Sequence, residues 1–441
     1  MDLILAFVLF LSVMAGCLLA DVSMLLPLAV GFVIFSALSV RRGFTVKQIL
    51  KFAAESVNES FIVIRILVLI GCLTGIWRCC GTVAYFVTGG LSLIPQGLFL
   101  PAAFLLAALM SYAIGSSFGV TATAGVILIS IARAGNVNPV IAAGAILSGV
   151  YVGDRGSPSS SAANLVSVLT HTDMRHNIKD MFRCSIVPFA ACCAVYGILS
   201  AFCPMQNAGS EIPDLLAEEF RLQWLCLVPA VIMMILPLCG MKVKYAMMFS
   251  LLASCAVALG VQHCSFAQCM KAILCGYQAK NEALAGMVSG GGITSMLEVI
   301  GILFISCCYG PVFRNTGLLS PVTDGISRLA RRIGRYPAML VLGLGVSAVF
   351  CNQTVGAIMQ NTLCAPLYGD SAEECRQKML DMENSVILLA GLVPWCIACA
   401  VPLGMLDADI RTLPFEFYLW MVPLWQLIRM RAGGRRKRAA A

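Results

Sequence analysis

Charged residues are scarce in this chain. Lys, Arg, Asp and Glu make up 12% of its 441 residues, whereas a soluble domain carries about 25%. Histidine occurs three times, and the Cys-Cys pairs at 79–80, 192–193 and 307–308 have no C-x-x-C partner at zinc-site spacing. Walker, H-E-x-x-H and G-x-S-x-G motifs in a suitable context are also missing. These absences argue against a soluble domain, a zinc protein and an enzyme, and we expect no cofactor.

Apolar residues dominate instead. They form 59% of the chain, in repeated windows of the roughly 17 to 25 residues that a membrane-spanning helix needs. A β-barrel would show alternation over about 10 residues. The sequence therefore predicts an all-α polytopic membrane protein, a single transporter domain over 1–441, with about 10 to 13 transmembrane or re-entrant helical elements.

The basic residues predict the topology. They cluster in short segments at 41–51, 175–183, 241–244, 328–335 and 429–438. The positive-inside rule places all of these in the cytoplasm and the acidic segment 210–220 outside, provided that the chain between 98 and 173 crosses an odd number of times. Both termini then lie in the cytoplasm. The protein itself is expected in the cell membrane. Because the net charge of +8 lies in loops and the tail, we expect no nucleic-acid partner.

The two halves share a plan. From Phe44 and from Phe266, a short amphipathic stretch leads through a polar linker into a span that ends in Gly and Cys. The charge pattern starts the first stretch inside and the second outside. We therefore predict inverted repeats over approximately 41–203 and 262–428, which are typical of secondary transporters.

A polar interruption lies in the first half, in "GVYVGDRGSPSSSAANLVSV" at 149–168. We expect Asp154 to end one helix and Ser157-Pro158 to begin the next, because Ser caps helices and Pro fits the first turn. Asp154 is a candidate Na⁺ ligand or proton carrier, although a surface loop is the alternative. Arg155 is interpreted as its partner or as a snorkelling residue.

Further polar residues are candidates for the same ion or substrate site. They are Ser157, Ser160 and Asn164 around the first interruption, Ser117, Thr121 and Thr123 upstream, Asn352, Gln353, Glu383, Asn384 and Ser385 in the second half, and Glu298. Close helix packing is the alternative for the hydroxyl residues, and an ion pair with Arg65 is the alternative for Glu298. If the site is shared between the halves, Asp154 and Asn352 should lie within about 10 Å across one cavity.

A resemblance supports this interpretation. "GAILSGVYVGDRGSPSSSAANLVSVLTHTD", 144–173, resembles the first-half signature of the NhaC family of sodium/proton antiporters. The matching positions are Gly144, Ser148, Gly149, Tyr151, Gly153, Asp154, Ser157, Pro158, Ser160, Asn164, Leu165, Thr172 and Asp173. In the second half, "GGITSML", "NQ" at 352–353, and "MENS" followed by "LVPW" resemble later motifs of the family. The resemblance implies an inverted-repeat fold and exchange driven by ion gradients.

The chain also departs from that family. Ser161 and Asn384 stand where the family has aspartates, Ala162 and Ala163 where it has threonines, and Cys396 where it has asparagine. The resemblance implies exchange of Na⁺ for H⁺, with Na⁺ at Asp154, Ser157 and Asn164. With fewer oxygen ligands, Na⁺- or H⁺-coupled transport of a small amino acid or organic carboxylate is the alternative. The expected partners are an inorganic cation or a small molecule and the lipid bilayer, and a homodimer stays open.

Overall fold

The computed structural model describes residues 2–20, 22–55, 57–205, 211–317 and 320–439. Nearly all of the described chain is helical, and the β structure within it is one isolated bridge between Tyr277 and Gly290. Five helices are long and apolar enough to cross a membrane, three bent helix pairs pass the same test together, and four shorter apolar helices accompany them. These elements together fall within the predicted range, so the all-α polytopic fold class is confirmed.

The helices follow one another in four groups. The N-terminal group is α1 Asp2–Leu19, α2 Leu25–Arg41, α3 Val46–Glu55, α4 Val57–Cys79 and α5 Thr82–Leu93. Next come α6 Phe99–Ile114, α7 Ser117–Val120, α8 Val126–Ala134, α9 Pro139–Gly156, α10 Ser161–Leu169 and α11 Met174–Phe202. The third group is α12 Glu211–Glu219, α13 Val228–Leu238, α14 Val243–Gly260, α15 Phe266–Cys275, α16 Glu282–Val288 and α17 Leu297–Thr316. The last is α18 Ser320–Ile333, α19 Arg335–Phe350, α20 Gln353–Leu363, α21 Ala372–Met382, α22 Ile397–Met405 and α23 Phe417–Ala439.

Two helical hairpins interrupt the bundle. Arg335, at the start of α19, forms a 2.5 Å ion pair with Glu374 and lies over the Tyr368 ring, both of which follow α20. The arms α19 and α20 therefore run antiparallel, and their tip is Cys351-Asn352. In the first half, Met205 N–H donates to Gln96 before α6 and Met205 packs on Gly135 after α8. A second hairpin therefore turns at Gly115-Ser116.

Each hairpin is followed by a broken helix. In the first half, α9 and α10 are separated by residues 157–160, and in the second half the helix of residues 372–392 is bent by 50° against α22. A hairpin returns to its starting side, whereas a broken helix continues across. The region between 98 and 173 therefore has one net traversal, the odd number that the charge pattern requires. The cytoplasmic assignment of either side stays a prediction.

The helix bounds of the two halves recur at a constant spacing. Helices α6 and α19 correspond residue for residue, since 335 minus 99 and 350 minus 114 both equal 236. The same spacing relates α10 to α22, because 397 minus 161 and 405 minus 169 are also 236. It further relates the caps Asp173 and Asp409, which accept backbone hydrogen bonds from His176 and Arg411. The halves thus share one helical plan, and their inverted orientation stays a prediction.

The two caps also share an electrostatic setting outside the spanning segments. A hydrogen bond from the His176 side chain holds the pKa of Asp173 below its ordinary value. The Arg411 guanidinium does the same for the pKa of Asp409. Charged carboxylates are favoured at helix N-termini, so each cap fixes the start of the element that follows its broken helix.

Close packing holds α9 against α6. A Cβ atom at Gly153 would lie 2.0 Å from the carbonyl carbon of Ser111, and one at Gly149 would lie 2.3 Å from the Phe104 carbonyl oxygen. Small residues let helix backbones approach in this way within membranes. The approach places the end of α9, with Asp154, beside the first hairpin tip.

Candidate ion-binding site

Asp154 joins the two hairpin tips. Its side chain is buried with 4% exposure, near the end of α9. The Ser117 backbone N–H donates to Oδ1 at 3.3 Å, and the Gln353 side-chain amide donates to Oδ2 at 3.4 Å. Ser117 begins α7 and Gln353 begins α20, and the N-terminal end of a helix carries partial positive charge. One carboxylate thus receives donors from both halves of the chain.

Each tip also packs against the break in its own half. A Cβ at Gly115 would lie 2.5 Å from the carbonyl carbon of Ser159, and the Ile397 N–H donates to the Cys351 carbonyl at 2.8 Å. Gln353 also donates to the Ile387 carbonyl at 2.9 Å. The interruptions of both halves therefore converge around Asp154, the placement that the repeat argument predicts. Their role in binding stays a prediction.

Arg155 does not hydrogen-bond to Asp154. It is 1% exposed, and its guanidinium donates to Asn384 Oδ1 at 2.5 Å and 3.0 Å. It also donates to the Tyr418 hydroxyl at 3.3 Å. Consecutive side chains on a helix point about 100° apart, so Arg155 faces α23 while Asp154 faces the tips. Both sequence interpretations of Arg155, a partner of Asp154 and a snorkelling side chain, are wrong.

Glu383 is a fully buried carboxyl. Its exposure is 0%, and neither oxygen has a hydrogen-bond partner among the described residues. It opens a π-helical segment, Glu383–Ile387, within electrostatic range of Arg155 and Asp154. Short π segments within helices are frequent at functional sites. Glu383 therefore belongs to the same buried group as Asp154 by position.

Ser385 takes part in a local network. Its hydroxyl donates to the Asp381 carbonyl at 2.6 Å, and the Gln360 amide donates to it at 2.9 Å. Gln360 also donates to the Met339 carbonyl at 2.9 Å. This network ties α19, α20 and α21 together. Sequence analysis missed Gln360, although a glutamine in an apolar half-helix is itself a signal of a buried polar contact.

The first-half hydroxyls satisfy backbone groups. Ser157 donates to the Tyr112 carbonyl at 2.6 Å, Thr121 to the Ser117 carbonyl at 2.9 Å, and Thr123 to the Gly119 carbonyl at 2.7 Å. Asn164 is exposed and donates to the carbonyls of Ser160 and Pro158. Asp154, Ser157 and Asn164 therefore have separate partners in this structure. Among the described residues, no three His, Cys, Asp or Glu side chains form a group that could hold a metal ion.

The helix after the break begins later than predicted. Ser160 is the N-cap of α10, where its hydroxyl accepts from the Ala163 N–H at 3.2 Å and donates to the Asp154 carbonyl. Ser157-Pro158 lies in the preceding turn, so the predicted start there is wrong. The Ser157 hydroxyl donates to the Tyr112 carbonyl and accepts from the Ser159 N–H, so it stabilises the turn, whereas the Ser160 hydroxyl accepts from the N–H three residues later as an N-cap does.

Two other candidates make their hydrogen bonds away from Asp154. Glu298 is exposed and accepts a 2.5 Å hydrogen bond from the Ser23 hydroxyl. Asn352 caps α20 by accepting from the N–H groups of Thr354 and Val355 at 2.9 Å and 3.3 Å. Asn352 is thus a structural neighbour of the group around Asp154, whereas Glu298 is not.

Sequence analysis also missed Glu416. This residue precedes α23, is 1% exposed, and has no hydrogen-bond partner for either oxygen among the described residues. Tyr151 lies within electrostatic range of both Glu416 and Asp154. A lone acid in an apolar window is the signal that could have identified it.

Known proteins resemble this chain over most of its length. Residues 149–433 match the model of the Na⁺/H⁺ antiporter family. The Na⁺/H⁺ antiporter NhaC of Bacillus subtilis is 25% identical over 96% of this chain and 95% of its own. The malate-2H⁺/Na⁺-lactate antiporter of the same organism is 24% identical over 91% and 87%. The arginine/ornithine antiporter ArcD of Halobacterium salinarum is 25% identical over 88% and 82%.

These matches agree with the geometry. The family match begins at Gly149, within α9, and covers the first break, the second hairpin and the second broken helix. The relatives are all named as antiporters, while their printed substrates differ. The resemblance found in the sequence is confirmed: the chain belongs to the Na⁺/H⁺ antiporter family.

Proposed function

We propose that this antiporter exchanges Na⁺ for H⁺ and that Asp154 is the group for which the two ions compete. The observation that carries the proposal is the position of this carboxylate, between a backbone N–H of one hairpin tip and a side-chain amide of the other. Donors from both halves of the chain thus hold this one ionisable group. The cell membrane, with cytoplasmic termini, is the proposed location.

Competition at one carboxylate accounts for exchange. A charged group without a counter-ion is costly inside a membrane, so Asp154 favours a state loaded with either Na⁺ or H⁺. Rearrangement between the two membrane sides then occurs with one ion or the other bound. Binding of one ion displaces the other, which makes transport an exchange without ATP.

Other oxygens can complete a Na⁺ site. The carbonyls at the break between α9 and α10, the Gln353 side-chain oxygen and the buried Glu383 carboxyl lie on the segments that converge at Asp154. Hard cations prefer carboxylate and carbonyl oxygens. Ser117, Ser157 and Ser160 support the proposed site by holding the backbone around it, and Asn164, Thr121 and Thr123 support its half-helices.

A small organic carboxylate or amino acid is the second candidate. The donors that face Asp154 are a helix N-terminus and an amide, which are groups that also bind anions. If Asp154 is protonated, these donors become available to a substrate carboxylate. The malate/lactate and arginine/ornithine relatives are compatible with this candidate.

Purified protein in liposomes separates the candidates. A pH-sensitive dye inside the vesicles should report a change in internal pH when Na⁺ or Li⁺ is added outside, with choline as the control cation. Parallel vesicles should receive labelled dicarboxylates and amino acids. Na⁺-driven pH change without organic-acid uptake supports the proposal. Uptake of an organic substrate with no response to Na⁺ alone would replace it by the second candidate.

A further inference from the structure

One cavity with charged residues at its rim reaches the second hairpin tip. It has a volume of about 290 Å³ and lies between the end of α3, the C-terminal half of α17 and the start of α20. Asn352 and Thr354 line it together with apolar side chains of α17 and α20. Gln353, between these two lining residues, donates to Asp154. The cavity therefore ends at Asn352 and Thr354, the two neighbours of Gln353, which contacts Asp154.

Opposite charges lie at the rim of this cavity. Glu55 and Arg314 both line it, with an Oε2 to Nη2 distance of 3.7 Å and side-chain exposures of 42% and 68%. Asn315 also donates to Glu55 Oε2 at 2.9 Å. An exposed ion pair contributes little stability, so an incoming cation can replace Arg314 beside Glu55 at small cost. A carboxylate at the mouth of a cleft also raises the local cation concentration.

The rim lies on the side predicted to be cytoplasmic. Helix α3 directly follows the basic residues Arg41 and Arg42, and α17 leads into α18 with its arginines at 328, 331 and 332. Another cavity, of about 340 Å³, is lined by Cys79, Glu219 and Tyr277 near the acidic segment predicted to be external. None of its lining residues belongs to a hairpin tip. The two cavities thus differ in how close they come to Asp154.

We propose that the cavity lined by Glu55, Arg314, Asn352 and Thr354 is the cytoplasmic entrance for a monovalent cation, and that Glu55 is its first binding group. The inference rests on the proposed cation exchange. Glu55 attracts the cation, Arg314 limits that attraction while the cavity is empty, and Gln353 separates the cavity from Asp154. Movement of the second hairpin tip then transfers the cation to the site.

Transport kinetics test the role of Glu55. In vesicles with the cytoplasmic face outward, Glu55→Gln should raise the half-saturating Na⁺ concentration about three- to fivefold with an unchanged maximal rate, the loss expected for one exposed charge interaction. Arg314→Gln should lower that concentration, because it leaves the Glu55 charge without its cation. Asp324→Asn removes an exposed acid of α18 away from the cavity and is the matched control. Unchanged half-saturation in Glu55→Gln, or a shift in the same direction for both rim variants, would overturn the assignment.

Thiol labelling tests the position of the entrance without transport. Thr354 is exposed and lines the cavity, whereas Thr362 is exposed on the same helix outside it. A charged thiol reagent, quantified residue by residue by mass spectrometry, should modify Thr354→Cys from the cytoplasmic face, and Na⁺ should slow that reaction. Thr362→Cys should react without Na⁺ protection.

The two experiments separate two kinds of failure. Labelling of Thr354→Cys from the external face alone, or from neither face, would overturn the entrance. If the wild-type protein exchanged no cation, that result would contradict the proposed exchange. Cytoplasmic labelling of Thr354→Cys would then still support a cytoplasmic opening, and absence of protection by Na⁺ would reject the cation as its occupant.

Discussion

The two hairpin tips have the same backbone and different chemistry. Gly115 and Cys351 both adopt positive φ, 71° and 54°, and their N–H groups bond to the carbonyls of Ser111 and Ser347. The next residues, Ser116 and Asn352, both cap the second arm. A tight turn with a polar cap is therefore what both halves need to reverse an apolar helix. The residue at the turn itself differs.

The charged residues are not repeated. With the spacing of 236 residues that relates the halves, Asp154 and Arg155 correspond to Ala390 and Gly391. The second half supplies Gln353 to Asp154 and Asn384 to Arg155 instead. The two halves thus share a scaffold, while the first half holds this pair of charges and the second half, which has the buried acids Asp381 and Glu383 elsewhere, supplies their neutral partners. Substitutions in the two halves should separate effects on the scaffold from effects on the site.

The largest difference should appear between two buried acids. We expect Asp154→Asn to reduce exchange by at least about 100-fold, because it removes the group that we propose binds the ions. Asp381→Asn should retain exchange but lower stability, since Asp381 accepts 2.7 Å bonds from Tyr368 and Gln377. Exchange in liposomes and thermal unfolding in detergent measure both effects. Full activity of Asp154→Asn would contradict the proposal that Asp154 is the group that binds the ions.

Substitutions of two buried glycines should have the next largest effect. A Cβ at Gly153 would lie 2.0 Å from the Ser111 carbonyl carbon, and one at Gly343 would lie 3.0 Å from the Val386 nitrogen. Overpacking typically costs about 1–3 kcal/mol, and a backbone clash leaves little room to relax. Gly153→Ala should therefore lose more thermal stability than Gly343→Ala. Equal losses would contradict the tighter contact assigned to the first half.

Substitutions of Asn384 test how much this neutral partner of Arg155 contributes to stability. Asn384→Ala removes two hydrogen bonds from a buried guanidinium, each hydrogen bond to a charged group being worth about 1.5–3 kcal/mol. Unfolding should occur at lower temperature in this variant. Asn384→Asp should keep the geometry and bond to Arg155 as an ion pair. If Asn384→Ala unfolded like the wild type, Arg155 would have found another partner.

The smallest effect should come from the turn residue of the second hairpin tip, Cys351. Cys351→Gly should change the free energy of unfolding by less than about 1 kcal/mol, because relief of left-handed strain is offset by the lost packing of a fully buried side chain. Gly115→Ala should lose stability, because its Cβ would meet the Ser159 backbone at 2.5 Å. Chemical denaturation of the two variants measures the change in the free energy of unfolding for each. A stabilising Gly115→Ala would contradict the shared turn geometry.

The sequence predicted the features that depend on local pattern. Apolar windows gave the fold class, and the run around Asp154 marked the interruption that the structure places at the end of α9. A buried acid in such a run is costly wherever the chain folds, so Asp154 was identifiable without tertiary information. The recurrence of the plan from Phe44 and Phe266 is likewise a local pattern, and the repeat bounds drawn from it stay a prediction.

Features that depend on neighbours were less accessible. Ser160 instead of Ser157 caps α10, and the Ser157 hydroxyl joins the preceding turn to the hairpin by accepting from the Ser159 N–H and donating to the Tyr112 carbonyl. Arg155 pairs with Asn384, a residue 229 positions away. Glu416 lies in an apolar environment that several helices create together. A single sequence contains no record of which distant side chain fills each of these positions.

The dependence of Na⁺ affinity on pH tests the proposed competition most directly. Initial rates of exchange in liposomes should be measured over a range of Na⁺ concentrations at several pH values. If Na⁺ and H⁺ compete for Asp154, the half-saturating Na⁺ concentration should rise as the pH falls, approaching tenfold per pH unit once the carboxyl is mostly protonated, while the maximal rate stays the same. A half-saturating concentration independent of pH would contradict competition at Asp154.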